Sequence, residues 1–160
     1  GLDLPITIYG RESNSGTYVT FKEMVLADGD FAPTTNFLAG TAAVINAVSR
    51  DRNGIGYGGI AYGEGIKVIS LAADADTPAY APTPENVATG AYALTRPLYF
   101  YLGPHRLNDC MAAFLMWVIS DEGQETVEQV GYYPVSKSVR EADREAIQAA
   151  LNSLGLGAAE

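Results

Sequence analysis

Cysteine and histidine occur once each in this chain of 160 residues, as Cys110 and His105. One cysteine excludes an internal disulfide and a cysteine metal cluster. One histidine, set in a "GPHR" turn, leaves a serine hydrolase without a base beside any candidate nucleophile. Basic side chains are scarce too: 10 lysines and arginines stand against 19 acids, a formal net charge of -9. That balance argues against a broad nucleic-acid footprint or an anionic membrane surface, so no nucleic-acid partner is expected. No apolar run approaches the roughly 20 residues of a bilayer span. The opening "GLDLPITIYG" has neither the basic nor the long apolar stretch of a signal peptide, as would a chain from which a signal had been removed. A G-x-x-x-x-G-K-[ST] phosphate loop is missing. "GIGYGG" lacks the pattern and acidic partner of a dinucleotide fingerprint, so its glycines are assigned to turns or close packing. No cofactor and no metal is expected.

What is present describes a folding chain: 48% of residues are hydrophobic and 18% charged, enough for one domain or one lobe with its own core. Ile6 to Tyr9 alternates β-branched and aromatic residues and predicts a strand. From Ser15 the residues Tyr18, Val19, Phe21, Met24 and Val25 share a helical face, ended by Asp28-Gly29. A second helix over 41–51 starts with Thr41 as a cap and carries Val44, Ile45 and Val48 as its stripe. "GIGYGGIAY" and "IKVISLA" read as short strands, and "RPLYFYLG" (96–103) as a stronger one. Thr83-Pro84-Glu85 opens a short helix that Gly90 closes. Leu107, Cys110, Met111, Phe114, Leu115 and Val118 recur at helical spacing, predicting a largely buried helix with Cys110 as a small core residue. Capping-box patterns at Asp121/Gln124 and Ser138/Glu141 start two more helices, the last with an amphipathic stripe from Val139 to Leu154. Strands alternating with helices predict an α/β fold.

The stretch "YGRESNSGTYVTFK" joins the first strand to the first helix and concentrates Arg11, Ser13, Asn14, Ser15, Gly16 and Thr17 there. A helix N-terminus offers up to four unpartnered N–H groups and a partial positive charge, which suits an anion. Gly16 lets an anion approach the backbone, Ser15 and Thr17 add hydroxyls, and Arg11 adds a fork that can hold two oxygens of a tetrahedral oxyanion. The residues alone leave a second reading open, in which Ser15 is only an N-cap and Arg11 a surface charge paired with Glu12.

"GRESNSGTYVTFKE" resembles the signature of the PstS-like periplasmic phosphate-binding proteins of bacterial ABC transporters. "AGTAAVINAVSRDRNGIGYGGIAYG" and "RPLYFYL" with "FLMWVISDEGQETVEQVGYYPVS" resemble later blocks of that family in the same order, covering about residues 6 to 136. The resemblance implies one lobe of a type II periplasmic-binding-protein-like fold, with a mixed sheet flanked by helices. Residues 1–136 would form the lobe and 137–160 a C-terminal amphipathic helix and tail. It implies that Arg11, Ser13, Ser15, Gly16 and Thr17 bind inorganic phosphate, with no catalysis, for delivery to an ABC-transporter permease. Where the family often places an acid two positions after the arginine, this chain has Ser13. The implied location is periplasmic or extracellular, with anchoring through a removed N-terminal signal as one form of it.

Family members have two lobes, and nothing before Leu4 resembles the first. The expectation is therefore a second lobe that meets a missing N-terminal lobe or self-associates, with millimolar-range or undetectable phosphate binding by the 160-residue chain. Alternatives are the same scaffold binding another oxyanion, a role in signalling or attachment, and a phosphoryl-transfer enzyme. The lack of a general base beside Ser15 argues against the last.

Overall fold

β1 (Thr7–Arg11) forms the middle of a three-stranded sheet. β2 (Asn36–Leu38) pairs along one edge and β3 (Gly54–Gly56) along the other, both parallel, in the order β2-β1-β3. The computed structural model describes residues 3–103 and 106–156, so the reading of His105 as part of a surface turn lies outside the described residues. Parallel neighbours require crossovers, and these are α1 (Gly16–Leu26) from β1 to β2 and α2 (Thr41–Arg50) from β2 to β3. Both helices therefore begin at the carboxyl edge of the sheet, where β1 ends in Arg11. The chain steps from β1 to one side and then crosses back to the other. Open α/β sheets leave a crevice outside the carboxyl ends of their strands at such a reversal.

The two helices pack differently. Val44 of α2 is fully buried, and a Cβ on Gly56 would lie 2.8 Å from its Cγ1 and 3.1 Å from the Tyr9 carbonyl oxygen, so this glycine is needed for close approach. On α1, Tyr18 and Phe21 turn into an aromatic cluster with Phe31, Phe37 and Tyr57. The Phe21 and Tyr57 rings stack at 3.9 Å. Val19, Met24 and Val25 of the same predicted face are exposed, and no residue of α1 is fully buried. The sheet under α1 is only three strands wide, with a three-residue β2 at its edge, and covers part of that face.

α3 (Pro84–Ala88) is capped by Thr83 and followed by Gly90 at φ 74, as the sequence predicts. α4 (Asp109–Val118), α5 (Asp121–Gln129) and α6 (Lys137–Ser153) form a helical unit. Its core is Leu107, Ala112 and Leu115, covered by Met111, by Ile147, Ala150 and Leu151 of α6 and by its C-cap Leu154. The buried Gln124 amide donates to the Val118 carbonyl at 2.7 Å and accepts from the Val135 N–H at 2.8 Å, which fixes α5 to both neighbours. Tyr133 donates to the Pro82 carbonyl, and Gly131 packs on Ala61.

Several expectations are corrected. Residues 96–103 form no strand and have no ladder partner, leaving Leu98, Tyr99, Phe100 and Tyr101 well exposed. High β-propensity does not supply the neighbouring strand that a ladder needs. "IKVISLA" forms no strand and contributes only the isolated antiparallel bridge Leu71–Tyr80, outside the parallel sheet. β2 carried no sequence signal at three residues. Cys110 is exposed, as are Phe114 and Trp117, so α4 buries one side only. The caps of α5 and α6 are Ser120 and Ser136, one and two residues before the predicted ones. The total surface is 11,233 Å², against about 7,700 Å² for a compact monomer of this mass.

Arg140 ties α6 to the start of α5, donating from Nη1 to Asp121 at 2.7 Å. That hydrogen bond, and then the Arg140 charge, hold the Asp121 carboxyl below its ordinary value of 3.8. A carboxyl with a lowered folded pKa stabilises the fold above its unfolded pKa and loses that contribution as pH falls through the folded value. Asp121→Asn is therefore expected to flatten the acid limb of Tm against pH below about 4. Superimposable acid limbs would refute the link.

Candidate functional site

Arg11 is the last residue of β1 and alternates with Gly10, so its side chain lies on the same sheet face as Tyr9, toward α2. Its Nη1 donates to Thr41 Oγ1 at 2.7 Å, and its Nε is buried with no hydrogen-bond partner among the described residues. Its backbone N–H donates to the Tyr57 hydroxyl at 3.3 Å. Burial pushes the Tyr57 phenol above its usual 10.0, opposed by the Arg11 N–H, so this hydroxyl keeps its proton at neutral pH. Arg11 has no carboxylate partner among the described residues; Glu12 is exposed and does not pair with it.

Ser15 is the N-cap of α1 and is buried. Its Oγ accepts from the N–H groups of Thr17 and Tyr18 at 3.2 and 3.3 Å, while its own N–H closes the loop onto the Glu12 carbonyl at 3.0 Å. The Ser15 oxygen is thus occupied as an acceptor and its proton is free to be donated. Of the predicted donors, Gly16 keeps a free N–H at the first helical position, while Thr17 has committed its N–H to the cap and retains its hydroxyl. Ser13 is exposed and lines an open cavity of about 520 Å³ with Glu12, Asn14, Tyr18 and Phe37. Arg11 and the Ser15–Thr17 group share the carboxyl edge of the sheet, but the Arg11 guanidinium contacts Thr41 rather than these residues.

Both first turns at this edge lack a negative charge. α1 has no acid in its first turn, and α2 starts from Gly40 at φ 77 with no acid and no side-chain cap. Thr41, predicted as the cap, is instead the first helical residue and the acceptor for Arg11. Two further groups went unnoticed in the sequence. Tyr57 lies within "GIGYGG", which the sequence reads for its glycines alone. Arg96 sat inside a predicted strand, yet its guanidinium lies over the start of α1: a Cβ on Gly16 would be 3.1 Å from its Nη2.

The chain is similar in sequence and in fold to known proteins. The model of a PBP superfamily domain matches residues 1–122. The chain is 40% identical over 141 residues to the phosphate-binding protein PstS of Pseudomonas aeruginosa, covering 86% of this chain and 44% of that protein. It is 33% identical over 136 residues to PstS of Staphylococcus epidermidis, covering 81% of this chain and 41% of that one. Among solved structures, one described as a possible phosphate binding protein from Planctomyces limnophilus superposes with a TM-score of 0.68 at 28% identity, covering 93% of this chain and 55% of that one. The chain thus spans less than half the length of these two curated relatives.

Proposed function

We propose, for a chain that belongs to the PBP superfamily, that it binds inorganic phosphate at the carboxyl edge of its sheet, within a solute-binding protein serving an ABC-transporter permease. The supporting observation is the buried, unpartnered Nε of Arg11 at the reversal point of the strand order, beside a helix start with no acid of its own. A tetrahedral oxyanion would satisfy that N–H together with Gly16 N–H and the hydroxyls of Ser15 and Thr17; Ser13 would reach it from the exposed loop. Residues 1–136 supply this lobe, and 137–160 a C-terminal amphipathic helix and tail, the helix packing on α4. Such a protein acts outside the cytoplasm, in the periplasm or on the cell exterior. It is a binder and not an enzyme: the Ser15 oxygen accepts two backbone N–H groups, and no side-chain base contacts it among the described residues.

The test is phosphate titration by calorimetry on the 160-residue chain, with light scattering in parallel. The site is open on one side, where attraction to an anion is several-fold weaker than in an enclosed cleft. Large apolar side chains are also left exposed along 98–102 and on α4. The buried, unpartnered Arg11 Nε narrows the expectation from the sequence, millimolar-range or undetectable binding, to millimolar-range binding by a dimer or higher oligomer. Sub-micromolar binding by a strict monomer would overturn the open-lobe reading, and no response to phosphate would overturn the function.

Selectivity provides a second prediction. Discriminating phosphate from sulfate needs an acceptor for the phosphate proton. Glu12 is the one acid in the loop but is exposed, so Glu12→Gln is expected to leave the ratio of phosphate to sulfate affinity unchanged. Loss of the preference in competition titrations would instead identify Glu12 as the acceptor.

A further inference from the structure

We infer that Arg96 is a second anion-binding guanidinium, which holds the bound oxyanion against the start of α1. The inference rests on the phosphate-binding reading above. The position that a Cβ would take on Gly16 lies 3.1 Å from Nη2, 3.7 Å from Cζ and 3.9 Å from Nη1 of Arg96, so the guanidinium covers the first residue of the helix. The absence of a side chain on Gly16 leaves room for this close approach; a Cβ there would push the guanidinium back by a few tenths of an ångström. Pro97 restricts Arg96 to extended backbone, which limits how far the side chain can be carried from this place.

The placement is electrostatically unfavourable in an empty site. A helix N-terminus carries roughly half a positive charge and disfavours a cation. α1 has no acid in its first turn to offset one. Arg96 neither hydrogen-bonds nor ion-pairs with another described residue; the two ion pairs present are Lys22–Asp30 and Arg140–Asp121. Arg11, with its unpartnered Nε, adds a second guanidinium at the same edge of the sheet. Two arginines and a helix start with no acid in its first turn describe a place for a multiply charged tetrahedral anion. Because Arg96 is exposed, it can move onto such a ligand and off it, whereas Arg11 is held by Thr41.

The experiment compares the wild-type chain with Arg96→Gln by phosphate and sulfate titration, and by thermal melts in low-salt HEPES with and without phosphate. Arg96→Gln is expected to weaken phosphate binding roughly 5- to 30-fold, for one partly exposed charge-assisted contact. Without an added anion its Tm should equal or exceed that of wild type, because a repulsive charge has been removed from the helix start. A merely structural arginine would show the reverse, a lower Tm in anion-free buffer with an unchanged phosphate affinity, and that result would overturn the inference while leaving the phosphate-binding reading intact. A wild-type chain that responds to neither oxyanion would overturn both.

Discussion

Arg11→Lys is expected to weaken phosphate binding by about 1–3 kcal/mol, roughly 5- to 150-fold, because one charge-assisted hydrogen bond is lost. The structure gives the reason that a conserved charge does not suffice. The guanidinium uses two ends at once: Nη1 is fixed on Thr41 Oγ1 at 2.7 Å, and Nε remains buried and unpartnered. A lysine ammonium is a single point on a flexible stem. It can reach the threonine or the anion but does not present the fork to both. The Arg11–Thr41 bond also joins the end of β1 to the start of α2, so a modest loss of stability, up to about 1 kcal/mol, should accompany the change. Titration and a thermal melt on the same protein separate the two effects. Equal phosphate affinity for the two forms would remove Arg11 from the site.

Gly123→Ala should be the most damaging single-methyl change to the fold, at about 3 kcal/mol or more. Gly123 lies in the first turn of α5, and a Cβ there would fall well inside contact distance of the Trp117 carbonyl oxygen and 2.7 Å from that of Val118. Both obstacles are backbone, which cannot rotate aside as a side chain can. The Trp117 carbonyl already accepts from the N–H and hydroxyl of Ser120, and the Val118 carbonyl accepts from Gln124. Shifting the turn to make room would break the Gln124 bonds to Val118 and Val135 and strand a buried amide, which alone costs about 1–3 kcal/mol. For a chain of this length the Tm should fall by roughly 6–12 °C. A melt within a degree or two of wild type would mean that the α4–α5 junction is free to adjust.

The residues themselves determined what is local. Strand, polar loop and capped helix follow from "ITIYGRESNSGTYVTF", because alternation, an N-cap serine and a 3.6-residue stripe are properties of a few consecutive side chains. The segment of the proposed binding loop was legible for the same reason, as were α2 with its Val44 stripe and the proline-started α3. Which partners those elements meet was decided only in three dimensions. "RPLYFYLG" has the composition of a strand but no neighbouring edge to pair with, and the three residues of β2 became a strand because β1 lay beside them. The apolar face of α4 that suggested a buried Cys110 is covered by α6 on one side only. The same holds at the site: Arg11 and Thr41 are 30 residues apart, Arg11 and Tyr57 46 apart, and Arg96 comes from a different part of the chain altogether. Local pattern cannot express contacts of that range, because they exist only once parallel strands and their crossovers have carried both helix starts to one edge of the sheet.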